Sequence, residues 1–424
     1  MKTRDWAFAI GAALSVVVVA VAIVASRASI ASGASAAERD PLPRATPGAV
    51  DLSASKLDEA TALLQRLVDE RKVAGAVAAV ARRGKLAYLQ AVGWQDVESR
   101  TPMTDRSLFR IYSMTKSVTA VAVMQLFEEG RFSLSDPVAK YLPEFGNVRV
   151  GAAMQPPARP MTIEDLLIHT SGLNHRTSNE YRAAKVRSRS MTLPQFITNI
   201  THVPLMEDPG TRYRYSESST VLGRLVEIWS GQPFDVYLNR RIFTPLGMTD
   251  TGFWTRPEQK AHLATVYALA PEGGLRAIEI EDVPFTERPA LLEGAVGLLS
   301  TVPDYLRFSQ MLLNNGELDG VRVLRAATVE RIVANGLPPA ILAARGPKMG
   351  WGLANVNVVL DPTAVTYPAN RGEYGWDGSA GTIFWIDPGT QLVTILMTQS
   401  SPANPDRIRE RFKTLVEQSR IAGK

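Results

Sequence analysis

Leu57, Ala60, Leu63, Leu64 and Leu67 recur at three- and four-residue spacing, which predicts an amphipathic helix running to about Lys72. The pattern then shifts to strand-like runs. Val77 to Ala81 and Leu86 to Val92, separated by Arg83-Gly84, predict a β-hairpin with Gly84 supplying the turn. The other end of the chain has the same grammar: Thr382 to Ile386, the turn Asp387-Pro388-Gly389-Thr390, and Leu392 to Thr398 predict a second hairpin, followed by a helix from about Pro405 to Ser419. Strands at both ends, around a helix- and loop-rich middle from about 105 to 340, predict a mixed α/β (α+β) domain. Its antiparallel sheet would be completed by both termini and covered by helices.

A different pattern precedes this domain. Lys2 and Arg4 lead into an uncharged stretch from Trp6 to Ser26, rich in Ala, Val and Ile, and then Arg27 and an Ala/Ser/Gly run reach Ala37. That is the layout of a secretory signal, with Ala34 and Ala36 offering an A-x-A-like cleavage site. At about twenty residues the stretch is also long enough to span a bilayer, so an uncleaved anchor through residues 6–26 is the other expectation. Either way the remainder is expected outside the cytoplasm, periplasmic or extracellular. Residues 1–37 are thus read as signal or anchor, 38–52 as linker and 53–424 as the folded domain.

Composition narrows the chemistry. The 424 residues include no cysteine, so thiolate nucleophiles, Cys-ligated zinc and iron–sulfur clusters are excluded. The four histidines, His169, His175, His202 and His262, form no short-range pair of the HExxH kind, and no metal or other cofactor is expected. A net charge of +5, without a Lys/Arg run interleaved with aromatics, gives no reason to expect nucleic-acid binding.

The candidate nucleophile lies at Ser113. The segment from Phe109 to Lys116 leads into Ser117 to Phe127, apolar nearly all round, which predicts a buried helix ending at Gly130. Ser113 falls at its N-terminal end, where free amides and the helix dipole favour negative charge, with Lys116 one turn further on. Burial lowers the pKa of a lysine and so makes Lys116 a usable base or a partner for one. The same four-residue spacing at Ser53 and Lys56, on the first surface helix, warns that the pattern alone is weak. Two further segments supply context: Pro209 to Glu217, with Tyr213 and Tyr215, and the glycine-rich Gly375-Trp376-Asp377-Gly378-Ser379-Ala380-Gly381 before the last hairpin.

Together these motifs resemble serine β-lactamase-like hydrolases, particularly class C β-lactamases, family VIII carboxylesterases and penicillin-binding proteins. The resemblance covers most of residues 55–420 and includes Ser113-x-x-Lys116, Leu166 to Leu173, Tyr215-Ser216, Gly297 to Thr301 and Trp376-Asp377-Gly378. It implies a β-lactamase/transpeptidase-like fold with an all-helical lobe and an active site between sheet and lobe. It further implies Ser113 as nucleophile, Lys116 as its activating partner, Tyr215 as general base and acid, and Trp376 to Gly378 as the lining strand. The amides of Ser113 and Ser379 would form the oxyanion hole.

Two positions depart from the family pattern. Glu217 stands where β-lactamases usually have Asn; it is expected to point outward as a helix-start acid, the inward alternative opposing any pKa depression of Lys116. Trp376 stands where a lysine commonly meets a substrate carboxylate, and Asp377 adds a negative charge, so the residues favour neutral esters over anionic β-lactams. His169 is expected to be structural, and Arg182, Lys185, Arg187 and Arg189 to form a solvated loop. The expected function is therefore a metal-free serine hydrolase forming an acyl-enzyme on short-chain esters. The alternatives are a β-lactamase or D-amino-acid peptidase/transpeptidase, and a catalytically silent binding protein of the same fold.

Overall fold

The computed structural model describes residues 40–271 and 273–421, so the expected signal or anchor segment lies outside the described residues. No helix among the described residues is long and apolar enough to cross a membrane.

Helix α1 (Ala54–Asp69) forms where the leucine period predicted it, and Ser53 caps it by accepting the Lys56 amide at 3.4 Å. That hydrogen bond disposes of the first Ser-x-x-Lys pattern, because Lys56 points outward to Glu59 at 2.8 Å. Strands β1 (Gly75–Arg82) and β2 (Lys85–Asp96) make the first hairpin, its turn carried by Arg83 and Gly84 at φ 53° and 73°. Strand β3 (Thr101–Pro102) borders β2.

The main sheet gains its other strands from the C-terminal quarter: β4 (Met349–Gly352), β5 (Val356–Val359), β6 (Tyr374–Asp377), β7 (Ile383–Asp387) and β8 (Leu392–Met397). The order is β4-β5-β6-β7-β8-β1-β2-β3, antiparallel throughout, with β1 against β8 in the register Val77 opposite Met397 and Val80 opposite Thr394. This pairing closes the sheet between the two ends of the chain. It also places β1 inside the sheet, between β8 and β2, with helices on both faces, which is why all eight of its residues are buried.

One face of the sheet is covered by α1 and the last helix, whose residues Ile408, Phe412 and Val416 meet Leu64, Leu67, Val80 and Leu396 in one apolar layer. A charged group is buried beside that layer. Lys413 Nζ lies 2.9 Å from Glu373 and 2.7 Å from Glu417, yet burial still pushes Glu373 up to about 7 because one ammonium is shared by two carboxylates. Lys413→Met would leave Glu373 buried without its cation and Glu417 with Arg420 alone, at 2.7 Å, and unfolding free energy by denaturant titration is expected to fall by about 3–5 kcal/mol.

The other face carries the helical lobe. Helix α2 (Thr115–Glu128) runs through its middle, buried on every side from Thr115 to Leu126 and packed on α3 (Ser218–Ser230), while α4 (Val302–Leu313) lies against β1, β7 and β8. The final helix, α5 (Ile408–Gln418), returns to the outer face already described.

Candidate active site

Ser113 lies in a single 3-10 turn, Tyr112–Met114, that opens directly into α2. Tyr112 is held at φ 40°, a left-handed conformation that costs a bulky residue on the order of 1–3 kcal/mol. Packing offsets it: the ring is fully buried and meets Phe285 edge-on at 6.3 Å. The turn thereby leaves Ser113 half-buried at the start of the central helix.

Lys116 is one turn on. Its Nζ donates to Ser113 Oγ at 3.3 Å and to the Ala295 carbonyl at 2.9 Å, and lies 4.6 Å from the centroid of the Tyr215 ring. Burial in the apolar helix pulls its pKa down to about 8, with Glu217 the largest opposing influence. Tyr215 shows the opposite effect of the same environment: burial pushes its phenol well above the usual value near 10, while Ser113 and Trp376 act to lower it. Trp376 Nε1 donates to the Tyr215 hydroxyl at 3.0 Å, and the two rings are 5.2 Å apart.

Strand β6 packs on the turn that holds Ser113. Gly378 makes that approach possible, because a Cβ there would meet Thr382 Oγ1 and the Ile111 carbonyl at under 3.0 Å. Ser379 follows on an exposed tight turn. Neither its amide nor that of Ser113 donates to a protein acceptor among the described residues, as an oxyanion site requires. The structure thus brings Ser113, Lys116, Tyr215, Trp376, Gly378 and Ser379 to one place from three distant stretches of sequence.

Three expectations are corrected. Glu217 points inward: it is 1% exposed at the head of α3, its Oε2 accepts from Thr220 Oγ1 at 3.0 Å, and its Oε1 has no partner among the described residues. Ser216, Ser218, Ser219 and Thr220 are buried with it, so this helix N-terminus enters the interior instead of lying on the surface. Asp377 is not a free negative charge, because Arg409 of α5 forms an ion pair with it and also donates to the Gly378 carbonyl at 2.9 Å. Within the basic cluster, Arg182 and Lys185 are exposed as expected, but Arg187 pairs with buried Glu281 and Glu293, and Arg189 is buried over the Phe285 ring at 3.8 Å.

His169 is fully buried, with Nδ1 3.1 Å from Ser216 Oγ and its ring 4.7 Å from that of Tyr215. Desolvation holds its pKa well below 6.5, so it supports Tyr215 as a neutral ring. Sequence reasoning missed two contributors. Ala295 offers only a carbonyl, for which no side chain gives a signal; Trp351 is buried edge-on to Trp376 at 4.6 Å.

A mixed sheet-and-helix fold around a serine with a buried lysine partner defines a class of serine hydrolases, and comparison with known proteins agrees. The family profile Beta-lactamase matches residues 60–418, and the chain belongs to that family. The protein Rv1367c of Mycobacterium tuberculosis is 34% identical over 82% of this chain and 90% of its own length. Esterase EstB of Burkholderia gladioli is 29% identical, over 84% and 95%. Among solved structures, EstCE1, described as a hydrolase with promiscuous acyltransferase activity, superposes with a TM-score of 0.77 at 26% identity, covering 85% of this chain and 98% of its own. The family of serine hydrolases to which the chain belongs includes esterases, acyltransferases and carboxypeptidases.

Proposed function

We propose that this chain is an exported hydrolase of short-chain carboxylic esters that works through an acyl-enzyme at Ser113. The observation that carries this reading is the hydrogen bond from Trp376 Nε1 to the Tyr215 hydroxyl. An indole fills the position from which related enzymes offer a cation to a substrate carboxylate, so the site wall is aromatic and uncharged there. The export part rests on the sequence of residues 1–37 alone.

In this mechanism Lys116 takes the proton from Ser113 as Oγ attacks the ester carbonyl. With a pKa of about 8, roughly one Lys116 in ten is neutral at pH 7, whereas the Tyr215 phenol is almost entirely protonated. Tyr215 then hands its proton to the departing alkoxide and recovers one through Lys116. The amides of Ser113 and Ser379 hold the oxyanion, each such donor contributing about 2.7–4 kcal/mol to the transition state. Water completes the cycle: it gives a proton to Lys116 as it attacks the acyl-enzyme, and that proton passes to Ser113 Oγ as the carboxylic acid departs.

The test is kcat/KM of the protein on p-nitrophenyl butyrate and on nitrocefin. Loss of a charge-assisted contact of about 1.5–3 kcal/mol predicts that the ester is preferred by about 10- to 100-fold. A preference for nitrocefin would refute the argument from Trp376.

A further inference from the structure

Against Glu217 lies a cavity of about 410 Å³ that the mechanism does not use. Arg176, Arg182, Lys185, Arg187, Glu217 and Ile280 are among its walls, and Glu217 is the one carboxylate among the described residues lining it. Chain geometry ties it to the active site. Glu217 is two residues beyond Tyr215, the Arg176 guanidinium is 5.7 Å from the ring of Tyr112, and His175, adjoining Arg176, stacks on Tyr215 at 5.8 Å and 28°.

The cations differ in what holds them. Arg187 is engaged by Glu281 and Glu293, and Arg176 Nη2 donates to Glu281 at 2.8 Å. Arg176 Nη1, however, is buried with no partner among the described residues. Arg182 and Lys185 are exposed and form no ion pair among the described residues. A mostly buried guanidinium with one unpartnered nitrogen, in a wall shared with two cations that form no ion pair, is a setting for an anion: the charge-assisted bond is strong inside, and the exposed charges steer the approach. The polarity runs inward to buried Glu217, whose Oε1 has no partner among the described residues and whose charge opposes a second anion.

We propose that this cavity is a specificity subsite for an anionic group, a carboxylate or its equivalent, carried by the substrate away from the bond that is cleaved. It is a different place from the strand β6 wall, where Trp376 removes the cation, so the two readings are compatible. The proposal rests on the ester reading for its place in catalysis, but the anion site itself does not.

The experiment uses two matched pairs of esters. An acyl-side anion is read by mono-4-nitrophenyl adipate against methyl 4-nitrophenyl adipate, and an alcohol-side anion by 4-acetoxybenzoate against its methyl ester. Isothermal titration with adipate and with 4-hydroxybenzoate gives a readout independent of turnover. The expected result is a preference of about tenfold or more in kcat/KM for the anionic member of one pair, mostly through KM. In Arg182→Ala/Lys185→Ala that ratio should fall towards one, with weaker binding of the matching free anion. Preference for the neutral member in both pairs, or an anionic preference that survives the double substitution, would overturn the proposal. If neither ester pair is turned over, the ester reading fails, and titration decides alone: anion binding lost on substitution sustains the subsite, and no binding by the wild-type protein removes it.

Discussion

Ser113→Ala is expected to lower kcat/KM for p-nitrophenyl butyrate by about 10,000-fold or more, leaving only what positioning and the oxyanion amides supply. Structure argues that this loss reports chemistry. Ser113 Oγ accepts a hydrogen bond from Lys116, itself also held by the Ala295 carbonyl, and Tyr215 keeps its bond from Trp376, so removing the hydroxyl leaves both partners anchored and the helix intact. The matched control is Ser53→Ala, which changes the first residue of the other Ser-x-x-Lys pattern. There the lost cap should cost about 1 kcal/mol in stability and nothing in turnover. Intact-protein mass after a rapid mix with substrate checks the same assignment, since the acyl group should appear on wild type and not on Ser113→Ala. Equal turnover by wild type and Ser113→Ala would remove Ser113 from the mechanism.

The contrast between those two serines shows what the sequence could carry. Both hairpins, both terminal helices and the buried helix after Ser113 were legible because each rests on a short-range period: apolar spacing of three and four, alternation, or a turn dipeptide such as Arg83-Gly84. The spacing Ser-x-x-Lys was not enough by itself. Its meaning depends on whether the helix it begins is buried, as α2 is, or half-exposed, as α1 is. The misread charges failed for one physical reason. Asp377 finds its counter-ion in Arg409 and Arg187 finds Glu281 and Glu293, partners separated from them by tens of residues and joined only by the packing of β6 on α5 and of loops across the lobe. Charge written along a chain gives no sign of such pairings. Glu217 was ambiguous for a related reason, since a run of serines and threonines suits a surface helix start as well as a buried one.

Lys116→Met should reduce kcat/KM by about 100- to 10,000-fold, the range of a lost general base, and should abolish the pH dependence attributed to it. The sign follows from the buried amine. Burial lowers its pKa from 10.5 to about 8, and only the neutral form accepts the serine proton, so wild-type kcat/KM should rise with pH through about 8 and then level off. Glu217 acts in the opposite direction to burial, raising the Lys116 pKa by favouring the ammonium. Glu217→Gln removes that anion at nearly constant shape. Its rising limb should therefore move to lower pH, making it faster relative to wild type at pH 6 to 7 than at pH 9. Met matches the length of the lysine stem and removes a charge that is costly to bury, so Lys116→Met should fold, and its loss of rate can be read as loss of the base. Two results would reassign the proton to Tyr215. One is a limb near 8 that persists in Lys116→Met; the other is a limb unmoved in Glu217→Gln while Tyr215→Phe eliminates it.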